Sequence, residues 1–325
     1  MDSSTEGKEK KAPAARKGGA RKPAGPRREG KPAGKPRAAR AKTEETRTVH
    51  RRPAPSMPMY NDGMMNIAIK AARAAGNIQL RAFNHPEALE VSEKGAGDFV
   101  TQIDKECERV IKEIISEAFP DHAFLGEEGG REGNPDAEYV WVIDPLDGTT
   151  NFIHNIPQFA VSIACLKDGK AIHAVVYDVS RNELFQATRG KGAMLDNRRI
   201  RVSSQTRMRD ALIGTGFPFR NDQDFETSLR ILKLVMPATA GLRRPGSAAL
   251  DLCWTACGRY DAYWEAALKP WDIAAGTLIA KEAGALVTDF TGEDTYLETC
   301  DVVAGTPKIF IPLMALIQKG LKKDE

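Results

Sequence analysis

The chain has 325 residues, 42% of them hydrophobic, with 47 Lys and Arg against 44 Asp and Glu; this suits one large or two medium globular domains and excludes a wholly disordered chain. No run approaches the roughly 18 uninterrupted apolar residues of a membrane-spanning helix, and the first residues lack the apolar stretch of a secretory signal, so the expectation is a cytoplasmic protein without membrane association. Five scattered cysteines with no C-x-x-C exclude a disulfide framework, and Cys253 and Cys257 read as small core residues because no histidine lies near them in sequence to complete a metal site.

Composition changes sharply near residue 57. From Met1 to Met59 there is no Ile, Leu, Phe, Tyr or Trp, too little apolar surface to offset the entropy of ordering, so residues 1–56 read as a disordered basic tail and 57–325 as the folded domain. Met1 to Arg52 carries 17 basic and 6 acidic residues, leaving 30 basic and 38 acidic beyond; the net +3 is a tail of +11 joined to a body of −8. Such a tail either attaches to nucleic acid by counterion release or is a solvated extension; it has no aromatic residue to stack on bases.

Ile67, Ala71, Ala74, Ala75, Ile78 and Ala82 recur at helical spacing, as do Ile103, Cys107, Val110, Ile111, Ile114, Ile115 and Ala118, so two amphipathic helices come first. Short buried strands follow at Ala123 to Gly126 and Tyr139 to Asp144. Ala160 to Leu166, Ala171 to Tyr177 and Glu183 to Thr188 are apolar or β-branched runs separated by turn residues, which predicts an antiparallel meander. Beyond it, strands at Ala211 to Thr215, Asp261 to Glu265, Ala285 to Asp289 and Val302 to Gly305 alternate with helices near Phe225 to Val235, Ser247 to Cys257, Trp271 to Ala283 and Pro307 to Lys319. The pattern predicts a mixed α/β fold with sheets layered between helices.

The most informative stretch is Trp141 to Phe152, W-V-I-D-P-L-D-G-T-T-N-F. Asp144 ends a buried strand, Pro145 fixes the backbone as it turns, and Asp147 follows three residues later, so both carboxylates can enter one space. Gly148 permits close approach of a ligand, and Thr149 and Thr150 open a helix whose free N–H groups suit a phosphate. Glu127 closes the preceding strand in G-E-E-G-G, and Asp272 opens a late helix. If these four acids converge, each like-charged pair ~4 Å apart costs about 4 kcal/mol at an effective dielectric near 20, and the cluster needs cations or shared protons. All-oxygen ligands beside a phosphate favour Mg²⁺. The five histidines form no ligand pair, and Gly190-Lys191-Gly192 lacks the spacing of a P-loop.

Four motifs in order, D-F-V-T-Q-I-D at Asp98 to Asp104, G-E-E at Gly126 to Glu128, D-P-L-D-G-T-T-N-F at Asp144 to Phe152 and P-W-D-I-A-A-G at Pro270 to Gly276, make the chain resemble the inositol monophosphatases, and within them the bacterial SuhB branch. The resemblance runs from about Met64 to the C-terminal helix. It implies a layered α-β-α-β-α sandwich of the sugar-phosphatase type, a Mg²⁺ cofactor, a small phosphorylated polyol as substrate and a homodimer inhibited by lithium. By position it implies that Glu127, Asp144, Asp147 and Asp272, with the Leu146 carbonyl, hold metal. Asp98 and Thr149 would activate the attacking water beside Glu127. Gly148 and Thr149 would present N–H groups to the phosphate, with Asp147 and Asp272 also at the substrate, and Arg243, Gly246, Ser247, Ala248 and Glu265 would face the polyol. Inositol 1-phosphate is the favoured substrate; fructose 1,6-bisphosphate, histidinol phosphate and adenosine 3′,5′-bisphosphate remain open. The branch also implies a different class of function, an interaction protein in transcription antitermination that contacts RNA or the transcription machinery.

Overall fold

The Asp62 carboxylate accepts the N–H groups of Met64 and Met65 and so starts helix α1, Gly63–Phe83. In the computed structural model the described residues are 62–88, 91–95, 98–218 and 224–322; the expected tail, residues 1–56, lies outside them. A hairpin of β1, Val91–Gly95, and β2, Asp98–Thr101, leads into α2, Gln102–Ala118, which opens with a capping box between Thr101 and Asp104.

Next comes an eight-stranded sheet. Its strands are β3 (Ala123–Gly126), β4 (Gly130–Glu132), β5 (Tyr139–Asp147), β6 (Ala160–Lys167), β7 (Lys170–Asp178), β8 (Glu183–Thr188), β9 (Gly192–Leu195) and β10 (Arg198–Arg199), with the single-turn α3 (Thr149–Ile153) between β5 and β6. The order is β10-β9-β8-β7-β6-β5-β3-β4, antiparallel except where β3 runs parallel to β5. The expected meander is β6 to β8.

The second half is β11 (Leu212–Thr215), α4 (Phe225–Val235), β12 (Gly241–Arg243), α5 (Ala248–Ala256), β13 (Ala262–Glu265), α6 (Pro270–Ala283), β14 (Leu286–Thr288), α7 (Tyr296–Thr299), β15 (Val302–Gly305) and α8 (Pro307–Leu321). It forms a five-stranded sheet of order β12-β11-β13-β15-β14. Strand periodicity decides the layers. On β5 and β6, Trp141, Ile143, Val161, Ile163 and Cys165 meet α1 and α2, while Val142, Ala160 and Ala164 turn to α5 and α6. On the smaller sheet Tyr263, Val302 and Ala304 face α5 and α6 from the other side, and Trp264 and Val303 face α4 and α8. The result is the α-β-α-β-α sandwich. Helix α6 is buried on nearly every side, so its small residues matter: a Cβ on Gly276 would stand 2.7 Å from the side chain of Leu252 on α5.

β5 does not end at Asp144. It continues to Asp147 with an irregularity between the two, because Asp144 Oδ1 takes the Leu146 N–H while Gln79 of α1 donates to the Pro145 carbonyl at 2.6 Å. The hairpin β1–β2, the strands β4, β9, β10 and β12, and α7 are too short to carry a hydrophobic period and were not legible beforehand.

After β14, the buried Asp289 carboxylate accepts N–H groups of Thr291, Gly292 and Glu293 and the hydroxyls of Thr291 and Thr295. Burial alone would raise its pKa; these donors bring it down to about 2. A depressed folded-state pKa adds stability above the ordinary value near 3.8 and loses it as pH falls toward 2. Asp289→Ala is expected to lower unfolding free energy by about 2 kcal/mol at neutral pH, with the gap to wild type narrowing in urea titrations below pH 4; a gap independent of pH contradicts this.

Candidate active site

Two sets of strand ends and three helix starts meet at one cavity of about 370 Å³. Glu127 follows β3, Asp144 and Asp147 stand on the irregular end of β5, Gly148 to Asn151 lead into α3, Gly216 follows β11, Gly246 to Ala248 lead into α5, Glu265 ends β13, and Asp272 lies in the first turn of α6. Open α/β sheets place ligands at the carboxyl ends of their strands, where the chain must leave and turn. Here the helix starts add unpaired N–H groups.

The acids are buried and crowded. Asp144 is 2% exposed, and its pKa is raised well above its ordinary value by burial and then by Glu127, Asp147 and Asp272. Asp272 is raised by burial and then by Asp147, against the Lys269 N–H that it accepts at 2.7 Å. Asp147 is raised to about 6 by burial, although its Oδ2 accepts the Ser247 hydroxyl at 2.6 Å and the Ala249 N–H at 2.8 Å. Among the described residues no three Asp, Glu, His or Cys side chains are drawn tightly enough around one point to enclose an ion by themselves; each of these three aspartates is turned in part to a local donor. The donor set nevertheless fits a hard divalent cation, being oxygen throughout with the buried Leu146 in the same wall.

Beside them, the Thr149 hydroxyl lies 3.0 Å from both Asp104 Oδ1 and the Leu146 carbonyl. Asp104 is 1% exposed, and its second oxygen accepts the N–H and hydroxyl of Thr101. The structure pairs Thr149 with Asp104, six residues beyond Asp98; the expected partner, Asp98, has its side chain outside the described residues. Two signals in the sequence pointed to Asp104. It completes a T-x-x-D capping pattern with Thr101, and it falls on the face of α2 that also buries Cys107 and Ile111.

A family model, Inositol monophosphatase family, matches residues 61–321. The chain belongs to the inositol monophosphatase family. It is 50% identical over 262 residues to Nus factor SuhB of Pseudomonas aeruginosa, covering 79% of this chain and 97% of that one, and 47% identical over 258 residues to Nus factor SuhB of Escherichia coli K12, with 79% and 97% covered. Among solved structures, the suhB extragenic suppressor protein of Bartonella henselae superposes with a TM-score of 0.77 at 42% identity over 80% of this chain and all of that one. The inositol monophosphatase of Anabaena gives 0.68 at 36% identity, over 79% and 96%. The chain thus lies in the SuhB-like branch of the family.

In this family member the loop bearing Glu127 is held from behind by a residue that the sequence did not single out. Glu108, buried on α2, accepts the N–H groups of Glu128 and Gly129, each at 2.8 Å, and pairs with Lys112 at 2.6 Å, which also reaches Glu132. Gly126 and Gly129 make room for this: a Cβ on Gly126 would stand 2.5 Å from the Glu108 carboxylate, and one on Gly129 would meet Glu132 and Lys112. Asn151 similarly ties the turn after β5 to the α5 approach, donating to the carbonyls of Gln158 and Pro245.

Two further expectations change. The arginine lining the cavity is Arg244, which follows β12; Arg243, the last residue of that strand, donates to the Leu242 carbonyl. Helix α3 is a single turn, so a phosphate would be met by its free N–H groups rather than by a long dipole. Gly246, Ser247, Ala248 and Glu265 do line the cavity, with Ser247 spending its hydrogen on Asp147. His154 is exposed.

If Glu108 supports the Glu127 loop, Glu108→Gln is expected to cost about 2 kcal/mol of unfolding free energy and Glu108→Ala about 3 or more, since the latter leaves two N–H groups and a lysine without their acceptor. Chemical denaturation reads this directly; values within about 0.5 kcal/mol of wild type for both, the ordinary range of surface changes, would show that the loop stands without it.

Proposed function

We propose that the chain is a Mg²⁺-dependent phosphate monoester hydrolase acting on a small phosphorylated polyol, with inositol 1-phosphate as substrate. The observation that carries this reading is the arrival of Glu127, Asp144, Asp147 and Asp272 from four stretches of sequence at one cavity that also contains the turn of N–H groups at Gly148 to Thr150; family membership supports it.

Glu127, Asp144, Asp147, Asp272 and the Leu146 carbonyl would hold the cation. When bound, a divalent ion supplies Lewis-acid chemistry, lowering the pKa of water and offsetting charge on phosphoryl and leaving oxygens. The protein's own groups position and move protons. Thr149 Oγ1 gives its hydrogen to Asp104 Oδ1, which leaves the threonine lone pairs to accept from the attacking water and orient it toward phosphorus. N–H groups at the start of α3 receive the phosphoryl oxygens, and Gly148 holds the turn open: it sits at φ 97°, and a Cβ there would stand 2.8 Å from the Gln158 carbonyl. On the polyol side, Glu265 is fixed by the Tyr263 hydroxyl at 2.5 Å, and Arg244 shares that wall. The crowded acids here disfavour a second phosphate and favour neutral hydroxyls. Water attacks without a covalent phospho-enzyme, because the carboxylates serve as ligands.

Purified protein assayed on inositol 1-phosphate, fructose 1,6-bisphosphate, histidinol phosphate and adenosine 3′,5′-bisphosphate should turn over the first fastest, lose activity in EDTA, and lose roughly 10²- to 10³-fold in kcat with Thr149→Ala, as removal of proton-transfer help predicts. Turnover of none of the four, or turnover indifferent to EDTA, contradicts the reading.

A second reading is favoured by the name Nus factor carried by the Pseudomonas aeruginosa and Escherichia coli relatives, together with the +11 charge of residues 1–52. We infer that the chain also contacts RNA or the transcription machinery as a homodimer, with the tail adding affinity for phosphates. Deleting residues 1–56 should weaken RNA binding and flatten its dependence on salt; unchanged affinity and slope exclude the tail as an RNA arm.

A further inference from the structure

The body from residue 53 onward carries 30 basic and 38 acidic residues, but the charges are unevenly placed. Residues 189–209 hold seven of those basic residues, Arg189, Lys191, Arg198, Arg199, Arg201, Arg207 and Arg209, against the single acid Asp196; the rest of the body is left with 23 against 37. All seven are exposed.

In the structure this stretch is one continuous run along the molecule's surface. It comprises the β8–β9 turn, the β9–β10 hairpin at the edge of the large sheet, and a strap crossing to the smaller sheet. The strap is fastened at its middle: Val202 N–H donates to the Ala283 carbonyl, Ser203 hydroxyl to Asp261 at 2.6 Å, and Thr306 hydroxyl to the Ser203 carbonyl at 2.7 Å. Arg199 lies over the β8–β9 turn, donating to the Lys191 carbonyl.

The acids within this stretch or bonded to it, Asp196, Asp210, Asp261 and Glu282, are four against seven cations, so an excess of positive charge remains. Glu282 gives its two oxygens to the N–H groups of Gly190 and Gly192, each at 2.7 Å, and Asp196 accepts the Leu184 N–H. Arg189, Arg199 and Arg201 donate to backbone carbonyls, which carry no net charge to cancel theirs. Arg207 and Arg209 share the one carboxylate of Asp210. Among the described residues Arg181 pairs with Asp178, Arg259 with Glu183 and Arg109 with Glu113, whereas Arg131 and Arg243, like the arginines of the strap, donate to backbone carbonyls. Protection of a sheet edge by charge accounts for Arg198 and Arg199 on β10, but not for the five others.

We propose that the hairpin and strap, residues 189–209, form a docking surface for the phosphodiester backbone of a nucleic acid. The stretch contains no aromatic residue to stack on bases, so recognition is by phosphate and indifferent to sequence, and a duplex suits it better than an unstacked single strand. The strap enters β11 at Leu212 and the cavity begins at Gly216, beyond the far end of that strand; at about 3.3 Å per residue they lie roughly 13 Å apart. The proposal extends the second reading above from the tail to the folded body.

The test uses the full chain carrying R198Q/R199Q/R201Q, with K308Q/K319Q/K322Q on α8 and the C-terminal end as a control that removes the same charge elsewhere. Anisotropy titrations with a 20-base-pair RNA duplex across a range of salt should show about tenfold weaker binding at 100 mM salt and a slope of log K against log salt shallower by about 2 for the strap variant, as loss of two to three phosphate contacts requires. The control should change little, and both variants should keep wild-type phosphatase activity and unfolding midpoint. Equal losses in strap and control variants, or an unchanged slope in the strap variant, overturn the proposal, and so does displacement of the RNA by polyglutamate at matched charge. Loss of binding on deleting residues 1–56 with none on neutralising the strap overturns the strap alone; the reverse overturns the tail alone.

Discussion

Four carboxylates facing one cavity repel one another, and much of the surrounding structure holds them there in spite of it. The strain shows on Asp144, whose pKa is raised first by burial and then by Glu127, Asp147 and Asp272. The restraints are specific. Asp147 is tied to the start of α5 through Ser247 and Ala249, Asp272 is held by the Lys269 N–H at the start of α6, Asp144 is turned by the Leu146 N–H, and the loop of Glu127 is clamped by Glu108. The five layers serve the same end. Both sheets direct strand ends toward the cavity, and the helices packed between them bring α5 and α6 in by their first turns.

Sequence revealed the parts of this that are local. Asp144 and Asp147 are legible because three residues and a proline constrain their relation, and the large helices and the meander because their apolar periods run long enough to read. What failed was choice between neighbours. Asp98 opens and Asp104 closes the same motif, and only the capping relation with Thr101 and the buried face of α2 point to Asp104 as a partner of Thr149. Arg243 ends a three-residue strand and Arg244 follows it, and so short a strand leaves no alternation in the sequence to tell them apart. Glu108 was invisible for another reason: its partners, the N–H groups of Glu128 and Gly129, lie 20 and 21 residues away, and backbone donors leave no mark in a sequence.

The same chain separates two kinds of electrostatics. At the strand ends negative charge is concentrated and buried, which suits a small cation and a phosphate ester. Along the strap, positive charge is concentrated and exposed, which suits a large polyanion at salt-dependent affinity. Membership in a family whose relatives carry both phosphatase and Nus factor names accords with the two surfaces lying at different ends of β11.

Thermal unfolding of wild type and Asp144→Asn, each in EDTA and in excess Mg²⁺, tests the crowded-carboxylate site most directly. Asparagine keeps the acceptor for the Leu146 N–H and removes only the charge, so in EDTA the variant should be at least as stable as wild type. Mg²⁺ at a hundredfold over its Kd should stabilise wild type by about 2.7 kcal/mol and the variant by far less. A variant that is weaker in EDTA and keeps the full Mg²⁺ shift would contradict a cation-balanced site.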